Sequence, residues 1–179
     1  MNRALRATLP WILPALLLAA FALDLRRSAD ILRAQRLIRA VEGRTLAMIQ
    51  SGKLQRPLIV SHIAALQDAR RFDPAEVSSR VALGSEHFLL SDFPAARAAY
   101  EDALRLEPRP EIYLNLGKSY YAAGDPEPSK TYFARAMKLD PSLGREVPAE
   151  VRAEIRGRPA PGQGKKPAPK PTPGPKPPA

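Results

Sequence analysis

The sequence predicts an all-α fold built from stacked helix pairs, and three observations carry that expectation. Three corners read alike, Phe72-Asp73-Pro74, Leu106-Glu107-Pro108 and Leu139-Asp140-Pro141, with their prolines 34 and then 33 residues apart. A period of that length marks an array of helical repeats. Between the corners, Gly84, Ala96, Ala103, Gly117 and Ala136 are small where two helices would cross closely, and Tyr100, Tyr120 and Phe133 can fill the space beside them. Upstream, Ile31, Ala34, Ile38, Val41 and Met48 recur at the three-four spacing of a helix face.

The chain opens with a different kind of segment. Between Arg6 and Asp24 lie seventeen uncharged, mostly apolar residues, Ala7 to Leu23. As a helix they would span roughly 26 Å, close to the ~30 Å of a bilayer core. Trp11 would sit near one interface, and Arg26 and Arg27 could snorkel at the other. A buried core helix is excluded, because a domain this small cannot hide a segment that is apolar all round. An uncleaved transmembrane anchor over residues 1–27 is expected. The alternative is a secretory signal peptide cut after Ala22 in Ala20-Phe21-Ala22. The run Arg26, Arg27, Arg33, Arg36, Arg39 and Arg44 is a poor start for an exported chain and favours the anchor. The same six arginines place the body on the cytoplasmic side of a plasma (inner) membrane by the positive-inside rule. Against that count, single anchors with a basic N-terminus generally leave the C-terminal domain outside.

Residues 28–73 then read as a juxtamembrane helix to about Ser51 and a second helix from Pro57 to Ala69. The apolar face of the first is expected to pack on the second, rather than form a two-stranded seam with another copy. Residues 74–157 hold the better-patterned units. Tyr113-x-x-Leu116-Gly117-x-x-Tyr120, the turn Gly124-Asp125, then Ser129-x-x-x-Phe133 and Ala136 make one unit. Leu83-Gly84, Asp92-Phe93, Ala96-x-x-x-Tyr100 and Ala103 make the one before it, with Arg80 and His87 where aromatics would be expected. Asp92 and Asp125 are placed to cap the second helices, with Pro94 and Pro126 in first turns that have no hydrogen bonds to lose. Pro148 to Arg156 reads as a capping helix with Val151 and Ile155 inward, ended by Gly157. From residue 158 to 179 the chain is mostly Pro, Lys, Gly and Ala, with nine of the twenty prolines, and is expected to be a disordered spacer.

These units resemble the tetratricopeptide repeat. The resemblance implies a short right-handed solenoid of about two clear repeats, preceded by a divergent helix pair. In that first pair Leu46, Ile49 and Leu66 fall in register, Gln50 replaces the small glycine and His62 the small alanine. The resemblance also implies that the first helix of each pair lines a groove for a protein partner. Mapped here, the groove takes Val81, Ser85, Phe88 and Leu89 from one unit and Leu114, Lys118 and Tyr121 from the next. Chaperone-binding relatives grip a carboxylate with Lys and Asn where this chain has Val81 and Ser85. Only Asn115 matches that clamp, so the expected partner is a helix or an apolar peptide.

Charge and chemistry narrow the function further. The net charge of +10 divides into +2 for residues 1–23, +6 for 24–71, −4 for 72–155 and +6 for 156–179. The folded body is therefore acidic, and basicity sits beside the apolar segment, where anionic lipid headgroups are the simpler partner. A nucleic-acid groove would want cations and stacking aromatics together on the body, so no nucleic acid is expected and a polyanion-binding tail is the least favoured reading. There is no cysteine, glycine-rich phosphate loop, metal-ligand spacing or nucleophile elbow, so no cofactor, metal or catalytic residue is assigned. His62 and His87 are read as packing residues, and the fourteen carboxylates of the body as mostly solvated helix faces paired with arginine. The expected protein is a single-pass scaffold of bacterial type; the alternative is a soluble exported adaptor released after Ala22. The chain should remain in the membrane pellet after a carbonate wash. A shortened soluble chain beginning at Leu23 would instead establish cleavage.

Overall fold

The computed structural model describes residues 3–157, with side chains from Ile12 onward. Among them the elements are helical throughout: α1 (Arg3–Gln50), α2 (Arg56–Phe72), α3 (Val77–Leu89), α4 (Phe93–Leu106), α5 (Pro110–Ala122), α6 (Pro126–Leu139), a 3₁₀ segment (Pro141–Glu146) and α7 (Ala149–Ile155). Each helix packs on the next in chain order. The side chain of Trp11 and the Pro/Lys-rich tail lie outside the described residues.

All three helix pairs end at the same corner. Asp73, Glu107 and Asp140 leave their helices in extended conformations while their N–H groups still bond the carbonyls of Ala69, Ala103 and Ala136. At Asp73 and Glu107–Asp140 alike the chain is pushed out of the helical region as it approaches the next proline. Asp73 and Asp140 also accept the N–H two residues ahead, at 3.2 and 2.9 Å, which steers the chain into its next element. The α1/α2 pair thus closes as the later pairs do, although its sequence is divergent.

Small residues set how closely the pairs approach. A Cβ placed on Gly117 would lie 2.5 Å from the Phe133 ring, and one on Gly84 would overlap the Tyr100 ring as severely. Only glycine admits an aromatic ring at that depth. Ala96, Ala103 and Ala136 are fully buried at the same crossings, with Leu83 and Leu116 beside them. Tyr120 has a different place: it stacks on Tyr132 at 5.3 Å outside the crossing, with the Arg97 guanidinium 4.6 Å from its ring.

Two expectations about local structure are corrected. The first concerns register in the first pair. Helix α1 stops at Gln50, and its inward face is Ala34, Ile38, Val41, Thr45 and Met48, whereas Leu46 and Ile49 are 56 and 53 % exposed. Past Gln50, close to the expected end at Ser51, a loop leads to α2, with the Gln55 N–H donating to the Met48 Sδ at 3.3 Å. The second concerns capping. Asp92 accepts the Ala95 N–H at 3.2 Å, but Asp125 makes no side-chain cap and instead pairs with Arg97 at 3.3 Å, tying successive second helices together.

Beyond Pro141 the chain does not stop turning. The 3₁₀ segment and α7 fold back so that Val147 and Val151 bury against Tyr113, Leu114, Phe133 and Ala136, covering the last pair as a solenoid cap does. At the other end α1 runs without a break through residues 27 and 28, so no boundary interrupts the helix there. Before Asp30 it leaves the body: Leu16, Leu17, Leu18, Phe21, Leu23 and Leu25 are 62–68 % exposed, on every side of the helix. Among the described residues no helix is long and apolar enough to cross a membrane, and the first five residues of the expected span, 7–11, lack described side chains. Arg26 and Arg27 are exposed.

Replacing Gly117 by Leu should destabilise the fold by roughly 2–4 kcal/mol, since overpacking forces strained rotamers and backbone shifts. Urea unfolding followed by circular dichroism measures it; an unchanged midpoint would mean that Phe133 does not close over Gly117.

Candidate partner-binding groove

The first helices of the three pairs, α1, α3 and α5, share one face, and two adjoining hollows open on it. One, of about 260 Å³, lies between α1 and α3 and is walled by Val41, Leu46, Ile49, Val81 and Ala82, with Glu42, Thr45, Ser85 and Glu86 among them. The other, of about 270 Å³, reaches α5 and is lined by Ile49, Phe88, Leu89, Tyr100, Asn115 and Lys118. Thr45, Ile49 and Ser85 belong to both, so the two form one groove.

Val81, Ser85, Phe88, Leu89 and Lys118 are brought together along this groove. Phe88 is half-buried and meets Phe93 edge-on at 5.6 Å. Lys118 is held by Glu146 at 2.8 Å, which neutralises it and fixes the groove's far wall. The Ser85 hydroxyl lies 3.2 Å from the Tyr100 hydroxyl. Burial pushes the Tyr100 phenol up to about 12, against the opposing effect of that hydrogen bond. Leu114 is not a groove residue: it is only 3 % exposed, because the capping segment covers it. Tyr121 is 43 % exposed but donates its hydroxyl to Glu150 at 2.5 Å, so it stands against the cap and not in either hollow.

Sequence reasoning missed the contribution of α1, namely Thr45, Leu46 and Ile49. The available signal was width: the apolar positions of α1 cover more of its surface than one partner helix needs.

Under the groove lies a polar junction that charge counting did not reveal. Glu86 is 1 % exposed, unlike the solvated carboxylates around it, and His62 beside it is also 1 % exposed. The Thr45 hydroxyl donates to the Glu86 Oε1 and lies 3.1 Å from the His62 Nδ1, which is itself 3.5 Å from the Glu86 Oε1. Thr45, His62 and Glu86 thus join α1, α2 and α3 at one point. In the first crossing this polar contact takes the place that a ring over glycine occupies in the later ones. His62 Nε2 and Glu86 Oε2 find no hydrogen-bond partner among the described residues. A signal existed in the pattern: His62 follows Ile59 and precedes Leu66, and Glu86 follows Ser79 and Leu83, so both stand on buried stripes. His87, by contrast, is partly exposed near Asp92, at 3.4 Å.

A buried cluster of this kind should respond asymmetrically to mutation. His62→Ala should cost about 3 kcal/mol by stranding a buried carboxylate, while replacing Thr45, His62 and Glu86 together by apolar residues of similar volume should cost far less. Equal losses in urea unfolding would show that the cluster acts through packing alone.

With the geometry in place, comparison with known proteins adds the following. Residues 110–143 match the tetratricopeptide repeat family, which spans α5, α6 and the start of the cap. The structure is similar to the crystal structure of a thermophilic tetratricopeptide-repeat protein from Thermus thermophilus, at 22 % identity and a TM-score of 0.48, covering 85 % of this chain and 76 % of that one. No curated protein matches the chain.

Proposed function

We propose that this tetratricopeptide-repeat chain is a membrane-anchored scaffold, not an enzyme, that holds a protein partner in the groove formed by α1, α3 and α5. One observation carries the reading: a single helix, α1, is bare and apolar on all sides over Ile12–Leu23 and then supplies the first wall of the groove. A helix that is apolar all round needs an apolar surrounding, and a bilayer supplies it at the cost of no further protein. The arginines that follow, Arg26 and Arg27 first, suit the anionic headgroups at its surface.

The groove's character agrees with a binding role. Its walls are aliphatic and aromatic over Leu46, Ile49, Val81, Phe88 and Leu89, with Glu42, Thr45, Ser85, Asn115 and Lys118 as polar groups between them, which suits a helix or peptide with apolar anchors.

The test is retention of a partner from detergent extracts by the intact chain. Replacing Phe88 and Ile49 by alanine should weaken capture by about 2 kcal/mol or more, as loss of central apolar anchors does. Deleting residues 158–179 should leave it nearly unchanged. The reverse pattern, with the tail essential and the groove variant silent, would move the function to the tail.

A further inference from the structure

We propose that the part of the groove between α1 and α3 receives a basic side chain of the partner, a lysine or arginine flanked by apolar residues. This deepens the groove reading and rests on it. The strongest observation is Glu86. It forms part of the wall of this hollow, is almost wholly buried, and its Oε2 has no hydrogen-bond partner among the described residues. A buried carboxylate oxygen without a donor is unfavourable, and a donor arriving from the groove would relieve it. Thr45, which holds the other oxygen, lines the same hollow.

A second, independent observation is the charge around the mouth. Glu42 lines the hollow, is exposed and makes no ion pair among the described residues. It also borders the two smaller hollows alongside, which add Glu76 in one and Glu111 in the other. Those two hollows also hold cations, Arg39 in the first and Arg109 in the second. Arg39 Nε donates to the Gln35 carbonyl of its own helix at 3.3 Å, and Arg109 Nη2 is held by Glu107 at 2.5 Å. Within the hollow between α1 and α3 itself the charged residues are Glu42 and Glu86, both acidic, while at the α5 end the lysine is paired with Glu146. The polarity of the groove gives a bound segment a direction, with its basic residue towards α1.

The walls fit the rest of such a side chain. Leu46, Ile49 and Val81 offer aliphatic surface along which the methylene stem of lysine or arginine can lie while its head reaches carboxylate. A segment with apolar residues on either side would fill the neighbouring space by Phe88 and Leu89. An acidic segment would meet Glu42 at the mouth and be repelled.

Selection of random twelve-residue peptides displayed on phage, against the full chain in detergent micelles, tests the proposal. Enriched peptides should carry Lys or Arg among apolar residues. One of them, measured by fluorescence anisotropy, should bind at least tenfold more weakly to Glu42→Gln, an exposed substitution that leaves the fold intact, and more weakly still to Glu42→Gln/Glu86→Gln. Enriched peptides that lack a basic residue, or that ignore Glu42→Gln, overturn the proposal; if they still lose affinity on Ile49→Ser, the groove itself stands. Failure of any peptide to enrich, or affinity indifferent to Ile49→Ser, overturns the proposal and the groove reading together.

Discussion

Everything in this molecule that resembles a repeat depends on how near two antiparallel helices can come. In the second and third pairs the distance is set by a ring lying over a glycine, Tyr100 on Gly84 and Phe133 on Gly117. A Cβ at either glycine would overlap the ring inside van der Waals contact, so even one added carbon would force the helices apart. In the first pair the same place is held by Thr45 against His62, with Glu86 entering from α3. Apolar closure is indifferent to direction, whereas hydrogen bonds between three helices fix their relative rotation. The join between the long helix and the repeats is thus the most directionally specified point of the fold.

That difference explains which parts were legible in the sequence. The corners at Asp73, Glu107 and Asp140 could be read because proline and an extended preceding residue act locally, whatever lies around them. The glycines and alanines of the later pairs were legible for a similar reason, since a missing side chain in an apolar stripe has few explanations. Residues whose roles depend on a third element were misread. Leu114 looked available until the capping segment covered it, and Tyr121 until Glu150 engaged its hydroxyl. Glu86 was counted with the solvated acids because its burial depends on both Thr45 and His62, far away in the chain. The groove itself was half legible: α3 and α5 gave Val81, Phe88 and Lys118, but the wall from α1 was hidden because the repeat alignment assigns Leu46 and Ile49 to the packing register of the first pair.

The proposed anchor and the groove meet in one helix, and their chemistry is divided along it. Towards its N-terminal part, α1 shows only apolar side chains to its surroundings; further on it turns Ala34, Ile38 and Val41 inward and leaves Glu42 and Ile49 to the groove. Arginines occupy the stretch between these two regimes, where neither apolar burial nor packing constrains the outward positions. The acidic character of the groove end and the basic character of that stretch keep a cationic partner segment from settling on the wrong part of the helix.

Because α1 passes from its bare apolar part into the first crossing without a hinge, the repeats are geared to the arm as a key is to its shaft. Each residue of an α-helix advances the chain by about 1.5 Å and turns it by about 100°. Inserting a single residue between Arg27 and Asp30 would therefore leave every contact of the body intact yet swing the mouth of the groove by more than a quarter turn about the arm. Inserting a whole heptad would nearly restore its heading while lifting it by about 10 Å. The stretch of sequence that touches nothing in the body is in this sense its compass, setting by length alone the bearing and height at which a partner is presented.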